Sequence, residues 1–413
     1  MDLALYVKKF GGSSVATPEK MRNIASRVLA EKKPDDSVVI VVSAMGDTTD
    51  DLLDLAGQVT KDHFGREMDM LLATGEQMSI ALMAMTFQAL GQPAVSLTGP
   101  QAGIMADGGF GKADIEDVKP ERVFKELREG KVVIVAGFQG LTPEGEIITL
   151  GRGGSDATAV ALAGAMRADM CEIFTDVDGV YSADPRHVPD AHKIDEITNE
   201  EMLEMARLGA GVMQPRSVEM GIRYHIPIHV RSTFENVPGT IIREECIMSK
   251  VSQAVRGVAQ DSHVAKVAVL GVANIPGVAY RIFNAMSENH VSVDMIVQSV
   301  RESDDNKTDI IFTIDSNDLD DVQRILSKME VAGEVPGVLY STEVAKVSIV
   351  GAGMIGAPGV AARMFGALGR AGVNIDIIST SEISISCLIK KADMSKAVRV
   401  IHEEFFGPAS SNR

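Results

Sequence analysis

Three short stretches carry residue types able to handle a phosphorylated ligand, and none is a Walker loop, since G-x-x-x-x-G-K-[ST] does not occur in the sequence. The first is Lys9-Phe10-Gly11-Gly12-Ser13-Ser14, which follows an apolar run and precedes a helical one. Backbone N–H groups after the glycines and the helix N-terminus can face phosphate oxygens, while Lys9 supplies compact positive charge. By itself a Gly-Gly pair after a strand is more often a plain tight turn. The second, Ser43-Ala44-Met45-Gly46-Asp47-Thr48-Thr49, also ends an apolar run with small residues and hydroxyls, and alone reads as an ordinary loop. The third, Gly151-Arg152-Gly153-Gly154-Ser155-Asp156, leads into a predicted helix over 157–166. Its glycines let the backbone approach a ligand, Arg152 can grip a carboxylate bidentately, and Asp156 can position a lysine or a magnesium-bound phosphate. The competing reading is a Ser or Asp cap on a helix. The Asp-rich segment from Thr175 to Arg186 reads equally as a hairpin turn.

Loops of this kind need a scaffold that brings them to one edge. Residues 38–42 (VVIVV), 131–136 (KVVIVA) and 226–230 are strand-length apolar runs separated by helical stretches, the pattern of crossover connections and a largely parallel sheet in an α/β fold. Thr17-Pro18-Glu19 opens a helix with Thr17 as N-cap, and Met21, Ile24, Ala25 and Val28 fall on its inner face.

The tail is organised differently. Val264-Ala-Lys-Val267 recurs as Val344-Ala-Lys-Val347, and aligning 276–299 with 358–381 gives about 11 identities over the two 24-residue segments. The tail is a tandem duplication of a small α+β module, each copy reading strand, Gly-rich turn, helix, strand, then a further strand and helix. The expected division is a first domain over 1–245, a junction over 246–262 that can lend a strand to the second module, and modules over 263–341 and 342–413.

Composition narrows the function classes. With 40 Lys and Arg against 57 Asp and Glu, the net charge is −17, which disfavours nucleic acid and anionic lipid as partners. No continuous apolar run approaches the roughly 18 residues of a membrane span, and the first ten residues, with Asp2 early and lysines late, run opposite to a signal peptide. A cytoplasmic chain is expected. Cys171, Cys246 and Cys387 are far apart and odd in number, as for reduced thiols without zinc or disulfides.

Taken together, KFGGSS, VVSAMGDTT, Thr74-Gly75-Glu76, GRGGSD and TDVDGVYSADPR stand in the order seen in the aspartate kinases of the amino acid kinase family, and the chain resembles that family over essentially its whole length. The resemblance implies an amino acid kinase domain followed by two ferredoxin-like ACT modules, with ATP phosphorylating the side-chain carboxylate of L-aspartate. It implies that Lys9 neutralises the transferring phosphoryl group, that Asp156 orients that lysine, and that Phe10, Gly11, Gly12, Gly153 and Gly154 line the phosphate path. Arg152 matches the residue holding the substrate α-carboxylate, and Glu76 the one facing its ammonium. Ser43 matches a residue near the reacting end, and Thr49 and Ser155 match hydroxyl contacts. Thr175, Asp176, Tyr181, Asp184 and Arg186 match the nucleotide stretch. Mg2+ is implied as held mainly by the nucleotide phosphates, with no protein metal site. Many relatives carry a lysine in G-[AS]-K-[VI] where this chain has Gly211.

The resemblance also implies lysine or threonine, or both, as effectors between the ACT modules. Asn274, Asp294 and Gln298 mark one copy and Ala361, Ile375, Asp376 and Ser381 the other, in a homo-oligomer joined through these modules. A short regulatory chain starting near Met248 is compatible with it. A kinase of the same fold for glutamate, N-acetylglutamate or carbamate, and a noncatalytic amino-acid-binding regulator, stand as alternatives. Gly351-x-Gly353-x-x-Gly356 mimics a dinucleotide fingerprint, but too little chain follows to complete that fold. His225 and His229, read as sharing one strand, lie about 13 Å apart by strand rise, too far for a common metal. The acidic runs at 304–305 and 318–321 read as solvated charge.

Overall fold

The structure, a computed structural model, describes residues 4–60, 65–246, 254–299 and 306–407. The chain divides into two compact units. The first runs through Tyr181 and adds His192–Arg207 and the stretch from Gly211 to the junction. The second joins Ser182–Ala191 and Leu208–Ala210 to the tail. The acidic run at 304–305 and Met248 lie outside the described residues.

In the first unit an eight-stranded sheet runs in the order Glu196–Thr198, Thr240–Arg243, Ile228–Ser232, Met170–Thr175, Leu5–Phe10, Ser37–Val42, Val132–Ala136, Ala94–Leu97. All neighbours are parallel except Ile228–Ser232 with Thr240–Arg243. Val38 to Val42 are each at most 1% exposed, as the unbroken apolar run requires of a strand covered on both faces. Burial of each such side chain contributes on the order of 1.5–3 kcal/mol. Thr17 caps the helix Pro18–Glu31 by accepting from the Lys20 N–H, and Met21, Ile24, Ala25 and Val28 are its buried face. A second sheet of four short strands orders Asp114–Val118, Ile104–Asp107, Gln139–Leu141 and Ile147–Thr149.

The helix Arg66–Ala89 is long and apolar enough to cross a membrane, and half of its most apolar window is buried. It packs on the sheet through Ile80, Met83, Ala84 and Phe87, and buries Asp69 and Glu76, the behaviour of a core helix.

Histidine placement differs from expectation. His225 is not in a strand; it caps the helix Pro215–Tyr224 with φ of +54° and its Nδ1 meets the Glu244 carboxylate, while His229 lies in Ile228–Ser232. A left-handed cap on a non-glycine residue has little sequence signature.

In the second unit each tail copy builds a four-stranded antiparallel sheet carrying two helices. The first sheet orders Val293–Gln298, Lys307–Asp315, Val264–Ala273 and Val338–Ser341. The second orders Gly257–Asp261, Val344–Val350, Ser384–Lys390 and Ile375–Thr380, so its outer strand comes from the segment preceding the first copy. The Gly351–Gly356 turn therefore follows a strand of an antiparallel sheet and leads into the helix Val360–Arg370. The two copies share a small apolar cluster of Val264, Met295, Val344, Ile377 and Leu388.

Candidate functional site

Parallel strands deliver their following loops to one edge, and the loops after Phe10, Val42, Ala136 and Thr175 all emerge there. The first two are tied together: the Ser43 N–H donates to Phe10 O at 3.2 Å and the Gly46 N–H to Gly12 O at 3.0 Å. Lys9 points to the Gly151–Asp156 loop, and its ammonium stands 2.5 Å from Asp156 Oδ1, with both side chains nearly buried. Asp156 sits in the first turn of the helix Gly154–Met166. Ser155 is buried one residue before it, and Thr49 lies in the first turn of the helix Thr48–Gly57.

Glu76 reaches the same edge from the long helix. Gly75 allows this, because a Cβ there would meet Ala44 Cβ at 2.9 Å. Glu76 is 3% exposed, and one carboxylate oxygen accepts from the Ala44 N–H at 2.9 Å. Its other oxygen, Oε2, is buried with no hydrogen-bond partner among the described residues. Burial pushes the carboxyl up to about 7, against the pull of the Ala44 N–H. A buried acid in this state favours a cationic partner. Arg152, in contrast, is exposed on its loop.

Thr175 ends its strand at this edge, with its hydroxyl donating to Asp176 at 3.0 Å. Tyr181 closes the following turn by donating to Asp178 at 2.8 Å, and Lys193 pairs with Asp178 at 3.2 Å. Tyr181 makes only an isolated bridge to Lys193, so no hairpin forms here. Asp184 and Arg186 ion-pair with each other at 2.7 Å and belong to the second unit, where Gln260 donates to Asp184 at 3.0 Å.

Sequence reasoning missed the loop after Ser232. The Thr233 N–H donates to Thr175 O at 2.9 Å, and its hydroxyl meets that of the fully buried Ser14 at 2.7 Å. The Lys20 ammonium lies 5.3 Å from the exposed ring of Phe234 and donates to Ser13 O at 2.9 Å. Listing every loop at the carboxyl edge of the parallel sheet is the signal that finds it.

In the tail, the expected effector residues fall on the turns and edge strands of the two copies, except Ala361, which lies in the first turn of the helix Val360–Arg370. Asp294 pairs with Lys346 at 2.5 Å and Asp376 with Lys266 at 2.7 Å, so each copy's lysine reaches the other copy's aspartate. Gln298 and Asn274 are exposed, with the Asn274 N–H donating to Asn306 O at 2.8 Å. Ser381 meets the Ser384 hydroxyl at 2.8 Å, and Ala361 and Ile375 pack partly buried against the second copy's core.

The chain matches the amino acid kinase family over residues 4–232 and the ACT domain over 267–329 and 347–405. The aspartokinase of Mycolicibacterium smegmatis is 50% identical over 405 residues, 98% of this chain and 96% of that one. Among solved structures, E. coli aspartokinase III in complex with aspartate and ADP (R-state) has a TM-score of 0.81 at 26% identity, covering 97% of this chain and 100% of that one. The same enzyme in complex with lysine and aspartate (T-state) has a TM-score of 0.75 at 26% identity, covering 97% and 99%.

Proposed function

The chain belongs to the aspartokinases of the amino acid kinase family, and from that premise we propose that it transfers the γ-phosphoryl group of ATP to the side-chain carboxylate of L-aspartate. The products are 4-phospho-L-aspartate and ADP. A carboxylate oxygen bonds to the γ-phosphorus as the bond to the bridging oxygen of ADP breaks. An ionised carboxylate needs no general base, so the protein's work is alignment and charge neutralisation.

The observation that carries this reading is Glu76: a buried carboxylate with one oxygen unpaired among the described residues, held by the loop after Val42 at the sheet edge where Lys9 and Asp156 pair. An α-ammonium satisfies that oxygen, which favours aspartate over N-acetylglutamate or carbamate, neither of which carries one. Arg152 holds the α-carboxylate, Ser43, Thr49 and Ser155 line the substrate, and Lys9, kept in place by Asp156, meets the transferring oxygens. Gly11, Gly12, Gly153 and Gly154 admit the phosphates, and Thr175, Asp176 and Tyr181 hold the nucleotide. Magnesium enters with ATP and neutralises phosphate charge. The test is ADP release with L-aspartate, L-glutamate, N-acetyl-L-glutamate and carbamate as acceptors; turnover with aspartate alone supports the reading, and preference for an acceptor lacking an ammonium rejects it.

In this reading the enzyme is cytoplasmic and opens the route to lysine, threonine and methionine. Lysine, threonine or both inhibit it at the ACT modules, in a homo-oligomer assembled through them. The lysine in the E. coli enzyme's T-state complex supports that choice of effector. A regulatory chain beginning near Met248 is compatible with the same assembly.

A further inference from the structure

Arg152 sits on an exposed glycine-rich loop, so its usefulness depends on what holds that loop. Two side chains from elsewhere in the first unit do so. Asp69, 1% exposed, lies seven residues before Glu76 on the same helix, hence on nearly the same face. Its Oδ2 accepts the Thr149 N–H at 2.7 Å and the Gly111 N–H at 3.0 Å, and its Oδ1 accepts the Thr149 hydroxyl at 2.9 Å. Arg216, on the helix Pro215–Tyr224, donates to Leu150 O at 2.5 Å and Ala113 O at 3.0 Å, and pairs with Asp114 at 2.9 Å. Residues 111–114 and 149–150 run side by side between these two groups, joined by the Ala113 N–H to Thr149 O bond of 3.1 Å. The Arg152 loop starts directly from Leu150. At Gly151, with φ of +72°, a Cβ would stand 3.0 Å from Gly111 O, so the loop rests on the clamped segment.

We infer that Asp69 and Arg216 are positioning residues for substrate binding, a two-sided clamp that sets Arg152 at the separation from Glu76 that a single amino acid's carboxylate and ammonium require. The inference rests on the reading above in which Arg152 and Glu76 hold the two ends of aspartate. Placing Asp69 and Glu76 on one helix makes both sides of the substrate pocket answer to a single rigid element. Burying a carboxylate among three donors also makes the anchor stiff, because releasing any one of them strands part of a buried charge.

The experiment is steady-state kinetics on the full chain with Asp69→Asn, Thr149→Val, Arg216→Met and Arg216→Lys, with aspartate and ATP varied separately. Aspartate KM should rise about tenfold or more in Asp69→Asn and Arg216→Met and about threefold in Thr149→Val, with Arg216→Lys partly restored and ATP KM within about twofold of wild type. A merely structural role would lower thermal stability and active fraction while leaving aspartate KM unmoved, and that result overturns the clamp. If Asp69→Asn fails to fold, Thr149→Val and Arg216→Lys decide by the same contrast. Arg152→Ala separates the two readings. Raised aspartate KM there with none in the clamp variants rejects the clamp alone; unchanged KM in Arg152→Ala removes its premise.

Discussion

The Lys9–Asp156 pair, 2.5 Å apart and largely shielded from water, holds an ammonium ready where phosphate charge is to be met. Electrostatic help of this kind is needed mainly as the phosphoryl group moves, so Lys9→Met should lower kcat by at least about a hundredfold with aspartate KM little changed. Because the two act as a unit, adding Asp156→Asn to Lys9→Met should cost little more, and a multiplicative loss in kcat would show that they act separately. Glu76 gives a pH signature. Burial holds it at about 7, above the ordinary carboxyl range, and only the ionised form grips an ammonium. Aspartate kcat/KM should therefore rise with pH up to and through neutrality and level off above it; Glu76→Gln should flatten that limb and lower the plateau. A pH profile identical in the two proteins would separate Glu76 from substrate binding. These loops were legible in sequence because glycines, a lysine and an acid clustered within a few residues of strand ends. Asp69 and Arg216 were not, since the groups they hold lie 42 and 80 residues away from Asp69 and 103 and 66 away from Arg216.

At the scale of elements, the strand Leu5–Phe10 carries Lys9 toward the site and the alternating Lys8 toward the opposite face. There Lys8 pairs with Glu172 and, at 3.0 Å, with Glu31, while Arg231 lies 2.7 Å from Glu172 and 3.0 Å from Glu31. Burial pushes Glu31 up, but Lys8, Arg27 and Arg231 outweigh it and leave the carboxyl at about 2. Its folded value lies below its unfolded one, so the stabilisation is present above about pH 4.5 and is lost as pH falls toward 2, with solvent screening of this partly exposed carboxylate reducing its size. Glu31→Gln should lower Tm at pH 7 and matter progressively less between pH 4.5 and 2, read by calorimetry; an equal Tm difference throughout would contradict the linkage. The pattern of strands was readable from their apolar runs, yet this network was hidden, because charges inside a strand give no clue to which helix covers them. In the tail, internal repetition exposed the modules directly, whereas the reciprocal Lys266–Asp376 and Lys346–Asp294 pairs required the two copies to be seen together. They also alter what a substitution tests. Asp294→Ala strips the nearly buried Lys346 of its partner, so Gln298→Ala is the cleaner probe of effector binding. It should shift the lysine and threonine inhibition curves, singly or mixed, without changing uninhibited turnover. Wild-type insensitivity to every combination would reject the effector proposal.

For the whole molecule, the edge strands Val293–Gln298 and Ile375–Thr380 expose Ile296 and Ile378 at equivalent places in the two copies. Unpaired edges with apolar side chains favour assembly, so sedimentation at micromolar concentration should show a dimer or larger, and a monomer would contradict assembly through the tail. The two units are not consecutive in the chain, and that has a consequence for dissection. Ala183 and Val188 share a core with Val255, Val258 and Val347, and the Val258 N–H donates to Ser182 O at 2.8 Å. A polypeptide ending before residue 254 would carry Ala183 and Val188 without that core, and one beginning there would show an uncovered apolar seat. Expressed apart, the halves should melt at lower temperature than the intact chain; mixed, they should complement each other, each supplying what the other's interior lacks.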